Sequence, residues 1–137
     1  MESIQIPAEA RVMQGVVPFV VVSDAAAAAE LYKDAFGADV LQRVPADDGK
    51  RLLHCHLRIN GGSLVINDAF PEHGYALEAP QSFTLHLQVD DVDRWWGRAI
   101  DAGFEIVMPL ELQFWGDRYG IVKDRFGVSW SIATAVR

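Results

Sequence analysis

Apolar and polar positions run through this chain with two alternating periods, and the periods come in the same order twice. Gly15–Val22 (GVVPFVVV) is a β-branched run that predicts a strand, with Pro18 pointing to a sheet edge or a seam. Asp24–Phe36 carries five consecutive alanines and places Ala28, Leu31 and Ala35 on one helical face, with Ser23-Asp24 as the N-cap signal and Gly37 as the stop. Ala38–Val44 predicts a second strand, and PADDG a turn. Lys50–Ile59 alternates: Leu53, Cys55, Leu57 and Ile59 fall on one face, Leu52, His54, His56 and Arg58 on the other. Asn60-Gly61-Gly62 turns the chain into a fourth strand over Ser63–Asn67.

After a loop over Asp68–Gln81 with two prolines, of a length that suits a lid or a linker, the pattern restarts. Ser82–Val89 predicts a strand, and Asp90-Asp91 caps a helix that runs to about Ala102. Val92, Trp95, Trp96, Ala99 and Ile100 follow the amphipathic spacing of that helix. Gly103 stops it, and Phe104–Met108 is read as a strand ended by Pro109. Trp115–Val122 and Val128–Thr134 close the unit around a tight turn at Asp124–Gly127. Both halves therefore read β-α-β-β-β, with Asp24 and Asp91 as equivalent caps. Met1–Arg11 reads as a tail or swapped arm in which Ile4 and Ile6 offer an edge strand. Trp95, Trp96, Trp130 and Cys55 are expected to face the core, and Asp117 with Arg118 to form an ion pair at the strand opening.

Composition narrows the function classes. The 137 residues suit one compact domain, and 50% hydrophobic content supports a real core. A net charge of -7 without a basic run argues against nucleic acid or an anionic membrane surface as partner. A single cysteine, Cys55, precludes an internal disulfide. No signal segment and no membrane-length apolar run is read, so the expected location is the cytoplasm.

The segments VVPFVVVSDAAAAAELYKDAFGADV, RLLHCHLRINGGSLVIND, SFTLHLQVDDVD and FWGDRYGIVKDRFGVSWSIAT resemble the vicinal oxygen chelate superfamily, also called the glyoxalase/bleomycin-resistance/dioxygenase fold, in its PhnB-like subgroup. The resemblance covers most of Gly15–Thr134. It departs at Arg125, where the family usually has Pro, at Val128, often His, and at His56, where Glu is frequent in the subgroup. It implies an α+β fold: one domain over 1–137 with a first βαβββ module at about 12–68, a linker at 69–81 and a second module at 82–135. The modules would form a curved mixed sheet with helices on its convex side, and the resemblance also implies a homodimer.

Metal-dependent members of the family hold their ion with four His, Glu or Gln residues. Counting from the cap and turn signals, these positions fall on Val17, Asn67, Thr84 and Ser131, a donor set poorly matched to a transition metal. The expectation is therefore no cofactor, with a divalent metal as the minority alternative. His54, His56 and His86 could gather in one groove, as a displaced metal site, a general base or plain pocket lining. His73 is expected to be solvated. No nucleophile–base motif or phosphate loop is present. The expected ligand-binding set is Phe19, His54, His56, Asn67, Thr84, His86, Trp115 and Ser131, with no catalytic residue assigned. The leading reading is a protein that binds a small molecule, as in antibiotic sequestration, its acidity suiting a cationic drug. The alternative is a metal-dependent lyase, isomerase or dioxygenase with a rearranged histidine site.

Overall fold

The computed structural model describes Ala8 and residues 13–136, so Ile4 and Ile6 of the predicted edge strand lie outside the described residues. Two compact units divide near Glu78 and Ala79, and the last turn of the first helix, Asp34–Phe36, counts with the second unit. Each unit has a four-stranded mixed sheet. Among the described residues no helix is long and apolar enough to cross a membrane.

The first unit runs β1 (Phe19–Val22), α1 (Ala25–Phe36), β2 (Asp39–Pro45), β3 (Leu52–Ile59) and β4 (Gly62–Asp68), in sheet order β1-β4-β3-β2. β1 pairs parallel with β4, and the remaining pairs are antiparallel. Asp24 caps α1 by accepting a hydrogen bond from the Ala27 amide at 3.0 Å, and Gly37 ends the helix in the left-handed region at φ 65°. The alanine face is sealed, with Ala25, Ala28, Ala29 and Ala35 fully buried. Val20, Val22, Cys55, Leu57 and Ile66 form the buried row of the sheet. Asp68 ties helix to sheet: its Oδ1 accepts from Ala25 N at 2.9 Å, and its Oδ2 from Leu52 N at 2.7 Å. A buried carboxylate is stable here because both oxygens have backbone donors.

The second unit repeats the order: β5 (Leu85–Gln88), α2 (Val92–Asp101), β6 (Glu105–Leu112), β7 (Asp117–Lys123) and β8 (Ser129–Ala135), in sheet order β5-β8-β7-β6. Asp91 caps α2 by accepting from Arg94 N. α2 lies on β6, β7 and β8. Trp130 is buried beside Phe36 and is held by Asp124, whose Oδ2 accepts from its indole N–H at 3.0 Å. Asp124 Oδ1 accepts from the amides of Phe126 and Val128, so one side chain fastens both the turn and the core tryptophan. Trp95 and Trp96 are half-buried: Trp95 stacks on Phe36, and Trp96 lies over Gly120.

Four details depart from the sequence reading. The first strand is shorter and begins after Pro18, whose carbonyl still accepts from Val65 N. β6 continues through Pro109 to Leu112, because it is the sheet edge and its register shifts between Met108 and Glu111, where no ladder donor is needed. Leu53 does not join Cys55 on the buried face. It is 53% exposed while Leu52 is buried, and the β2–β3 register shifts between Val44 and Pro45. Asp117 and Arg118 do not pair with each other. Adjacent strand residues point to opposite faces, so Arg118 reaches Asp93 on α2 at 2.9 Å while Asp117 accepts from Trp115.

Candidate functional site

The first unit contains a cavity of about 630 Å³. Three pieces of chain build it. Val21 and Asn67, opposite each other across the β1–β4 pair, contribute from the sheet. Ala46, Asp47 and Asp48 come from the β2–β3 turn, with Arg51 and Leu53 just beyond. Phe70, His73 and Tyr75 come from the loop after β4, which folds into a short 3-10 turn over Pro71–His73 and closes with a bridge between Phe70 and Tyr75. The register shift that turns Leu53 outward is what places it in this cavity.

Arg51 fixes the walls. Its Nε meets Asp48 Oδ2 at 2.6 Å, its Nη2 meets Glu72 Oε2 at 2.5 Å, and its guanidinium lies 4.4 Å from the centre of the Phe70 ring. The turn and the loop are thus bridged by one bidentate cation. The hydrogen bonds from Arg51 hold the Glu72 carboxyl down at about 2. Backbone donors from Arg51 and Lys50 hold Asp48 well below the usual carboxylate range. Arg51 therefore spends its charge on the walls, and Asp47 adds a further carboxylate to the lining. Asn67 Nδ2 donates to Asp68 O, which orients the amide and leaves its oxygen as an acceptor for a ligand.

The expected ligand residues fall into separate groups. Asn67 lines the cavity. Phe19 is exposed on β1 and meets the half-buried His54 edge-on at 6.1 Å. His56 is fully buried, with Nε2 2.8 Å from Ser63 Oγ, and presents no surface. In the second unit Thr84 is exposed and precedes β5. His86 stands opposite the buried Ser131, with Nδ1 2.7 Å from Ser131 Oγ and Nε2 2.8 Å from Gln88 Oε1. Trp115 is in the β6–β7 turn and is linked to His86 through the Tyr119 ring. His73, expected to be solvated, is exposed and also lines the cavity.

Leu53, Arg51, Phe70 and Tyr75 were not in the expected set. The two aromatics of the loop after β4, Phe70 and Tyr75, were the available signal; the outward turn of Leu53 had none.

Among the described residues no three His, Cys, Asp or Glu side chains are grouped to hold an ion. Val17 and Thr84 precede their strands, and Asn67 and Ser131 offer an amide and a hydroxyl. These residues do not fit the metal held by other members of the fold.

The sequence pattern of the Glyoxalase/Bleomycin resistance protein/Dioxygenase superfamily matches residues 12–132. The chain belongs to this superfamily. An uncharacterized protein of Mycobacterium bovis is 48% identical over 126 residues, which cover 88% of this chain and 82% of that protein. The structure of TioX from Micromonospora is 27% identical and covers 90% of this chain and 99% of that one, with a TM-score of 0.70. A PhnB protein from Bacillus cereus, 19% identical, shares the superfamily fold with a TM-score of 0.67 over 89% of this chain and all (100%) of that one.

Proposed function

We propose that this protein binds a small molecule in the first unit's cavity, without a metal of the kind used elsewhere in the superfamily. The observation that carries the reading is the lining itself. Val21, Ala46, Leu53, Phe70 and Tyr75 supply apolar walls, and Asn67 supplies one oriented amide. Its volume of about 630 Å³ falls in the range of small-molecule sites. Leu53 and Tyr75 are 53% and 70% exposed, so apolar surface is available for a ligand to cover. The carboxylates of Asp47 and Asp48 disfavour an anion, and the exposed Tyr75 ring suits a flat ring. The ligand class is a planar, neutral or cationic compound, and sequestration of such a compound, including an antibiotic, is the activity proposed.

The test is isothermal titration with paired cationic and anionic planar aromatics, followed by Leu53→Asn and Tyr75→Ala. Saturable binding of the cationic member, weakened at least about tenfold by Leu53→Asn, which removes the apolar contact without adding charge, is expected. Preference for the anion, or unchanged affinity in both variants, would overturn the proposal.

A further inference from the structure

We propose that the second unit carries a separate site for a small molecule bearing a quaternary ammonium group, formed by Trp115, Tyr119 and His86 with Asp117 and Glu111. The strand register assembles it. Tyr119 on β7 stands opposite Glu111 on β6, so the two side chains share a face, and Asp117 lies on that face two residues earlier. Gly120, on the other face, meets Trp96 of α2, so the Tyr119 face is the one turned away from the helix.

The rings are set at angles to one another. Trp115 meets Tyr119 at 5.4 Å with planes 77° apart, and Phe114 meets Trp115 at 4.9 Å and 89°. His86 stacks on Tyr119 at 5.9 Å and is fixed by Ser131 and Gln88. Phe114 is 97% exposed and Trp115 is 48% exposed in the single chain. The Trp115 ring is nevertheless anchored, because its indole N–H donates to Asp117 Oδ2 at 3.1 Å.

Charge selects the ligand class. Asp117 and Glu111 take part in no salt bridge among the described residues. Arg118, the nearest cation along the strand, faces α2 and pairs with Asp93. Ring faces and carboxylates both attract a cation. A quaternary ammonium has no N–H groups to satisfy and sheds water more readily than a primary amine, so aromatic walls can replace its hydration. The site lies wholly in the second unit and does not depend on the cavity of the first.

The probes are choline and its neutral isostere 3,3-dimethylbutan-1-ol, titrated into the full chain by calorimetry with Trp fluorescence as a second readout. Choline is expected to bind saturably and at least about tenfold more tightly than the isostere. Trp115→Leu, which keeps an apolar side chain without the ring face, is expected to lose about tenfold. Asp117→Asn retains an acceptor for the indole and removes only charge. It is expected to weaken choline severalfold and to reduce the salt dependence, as is Glu111→Gln. A thermal melt of each variant reports folding. Equal binding of the isostere, full affinity in a folded Trp115→Leu variant, or no saturable choline binding would each overturn the proposal.

Discussion

Gly120 is the position where adding one methyl group should do the most harm. Its φ is not in the left-handed region, so the backbone permits alanine. Space does not. A Cβ there would stand 2.6 and 2.7 Å from two carbons of the Trp96 ring and 3.0 Å from the Leu110 Cα. The closest approach is about 0.8 Å inside ordinary van der Waals contact at 3.4 Å. One obstacle is a rigid ring and the other is backbone, so neither yields cheaply. Overpacking of this kind costs about 1–3 kcal/mol, and this geometry belongs near the top of that range. Reduced freedom of the unfolded chain returns about 0.4–1 kcal/mol to alanine. The clash wins, leaving Gly120→Ala destabilised by about 2 kcal/mol, or roughly 6–8 °C in Tm for a chain of this size. Urea denaturation of Gly120→Ala, Trp96→Leu and the double variant is the assay. Removing the ring should relieve most of the penalty while the Leu110 contact remains, giving a coupling of about 1 kcal/mol or more. Wild-type stability in Gly120→Ala would refute the close packing of Trp96 on β7.

Three further outcomes are expected. Asp124→Ala should cost about 3 kcal/mol, because two amides and the Trp130 indole lose their acceptor together, and Asp124→Asn should cost less; chemical denaturation measures both. The Arg51 bridge should weaken in acid. Glu72 is depressed from 4.5 to about 2 in the folded chain, so its contribution is complete above 4.5 and is lost as pH falls through about 2. Hydrogen-exchange protection of the 70–75 loop, taken relative to the intrinsic exchange rate at each pH, should fall across that window, and Arg51→Met, which removes the bridge at every pH, should abolish this fall in protection. Cys55 is fully buried, and burial raises its thiol above the ordinary value, so a thiol reagent at pH 8 should react only after denaturant is added. Rapid labelling of the native protein would contradict that burial.

The fold was readable because its signals are local. Asp24 and Asp91 cap helices, Gly37 and Gly103 end them, and β-branched runs mark the strands, each through contacts a few residues apart. The repeated order of those signals gave two modules, and four segments spread over most of Gly15–Thr134 carried the family resemblance. The candidate site was less legible. Asn67 was expected in a binding role and lines the cavity, yet most of its neighbours there come from the β2–β3 turn and the loop after β4. Period-two alternation assigned Leu53 to the core, and a register shift moved it.

The sequence by itself determined the element order, the cap and stop residues and the buried position of Cys55. These follow from residue identity and short-range geometry. Tertiary structure decided which residues meet across strands: Asp68 with Leu52, Arg51 with Glu72, His86 with Ser131, and Tyr119 with Glu111. It also decided that Pro109 lies within a strand and that Asp117 and Arg118 part company. Pairing register sets those outcomes. A shift of one residue reverses which face a side chain occupies, and nothing in a strand's own composition records where its partner will slip.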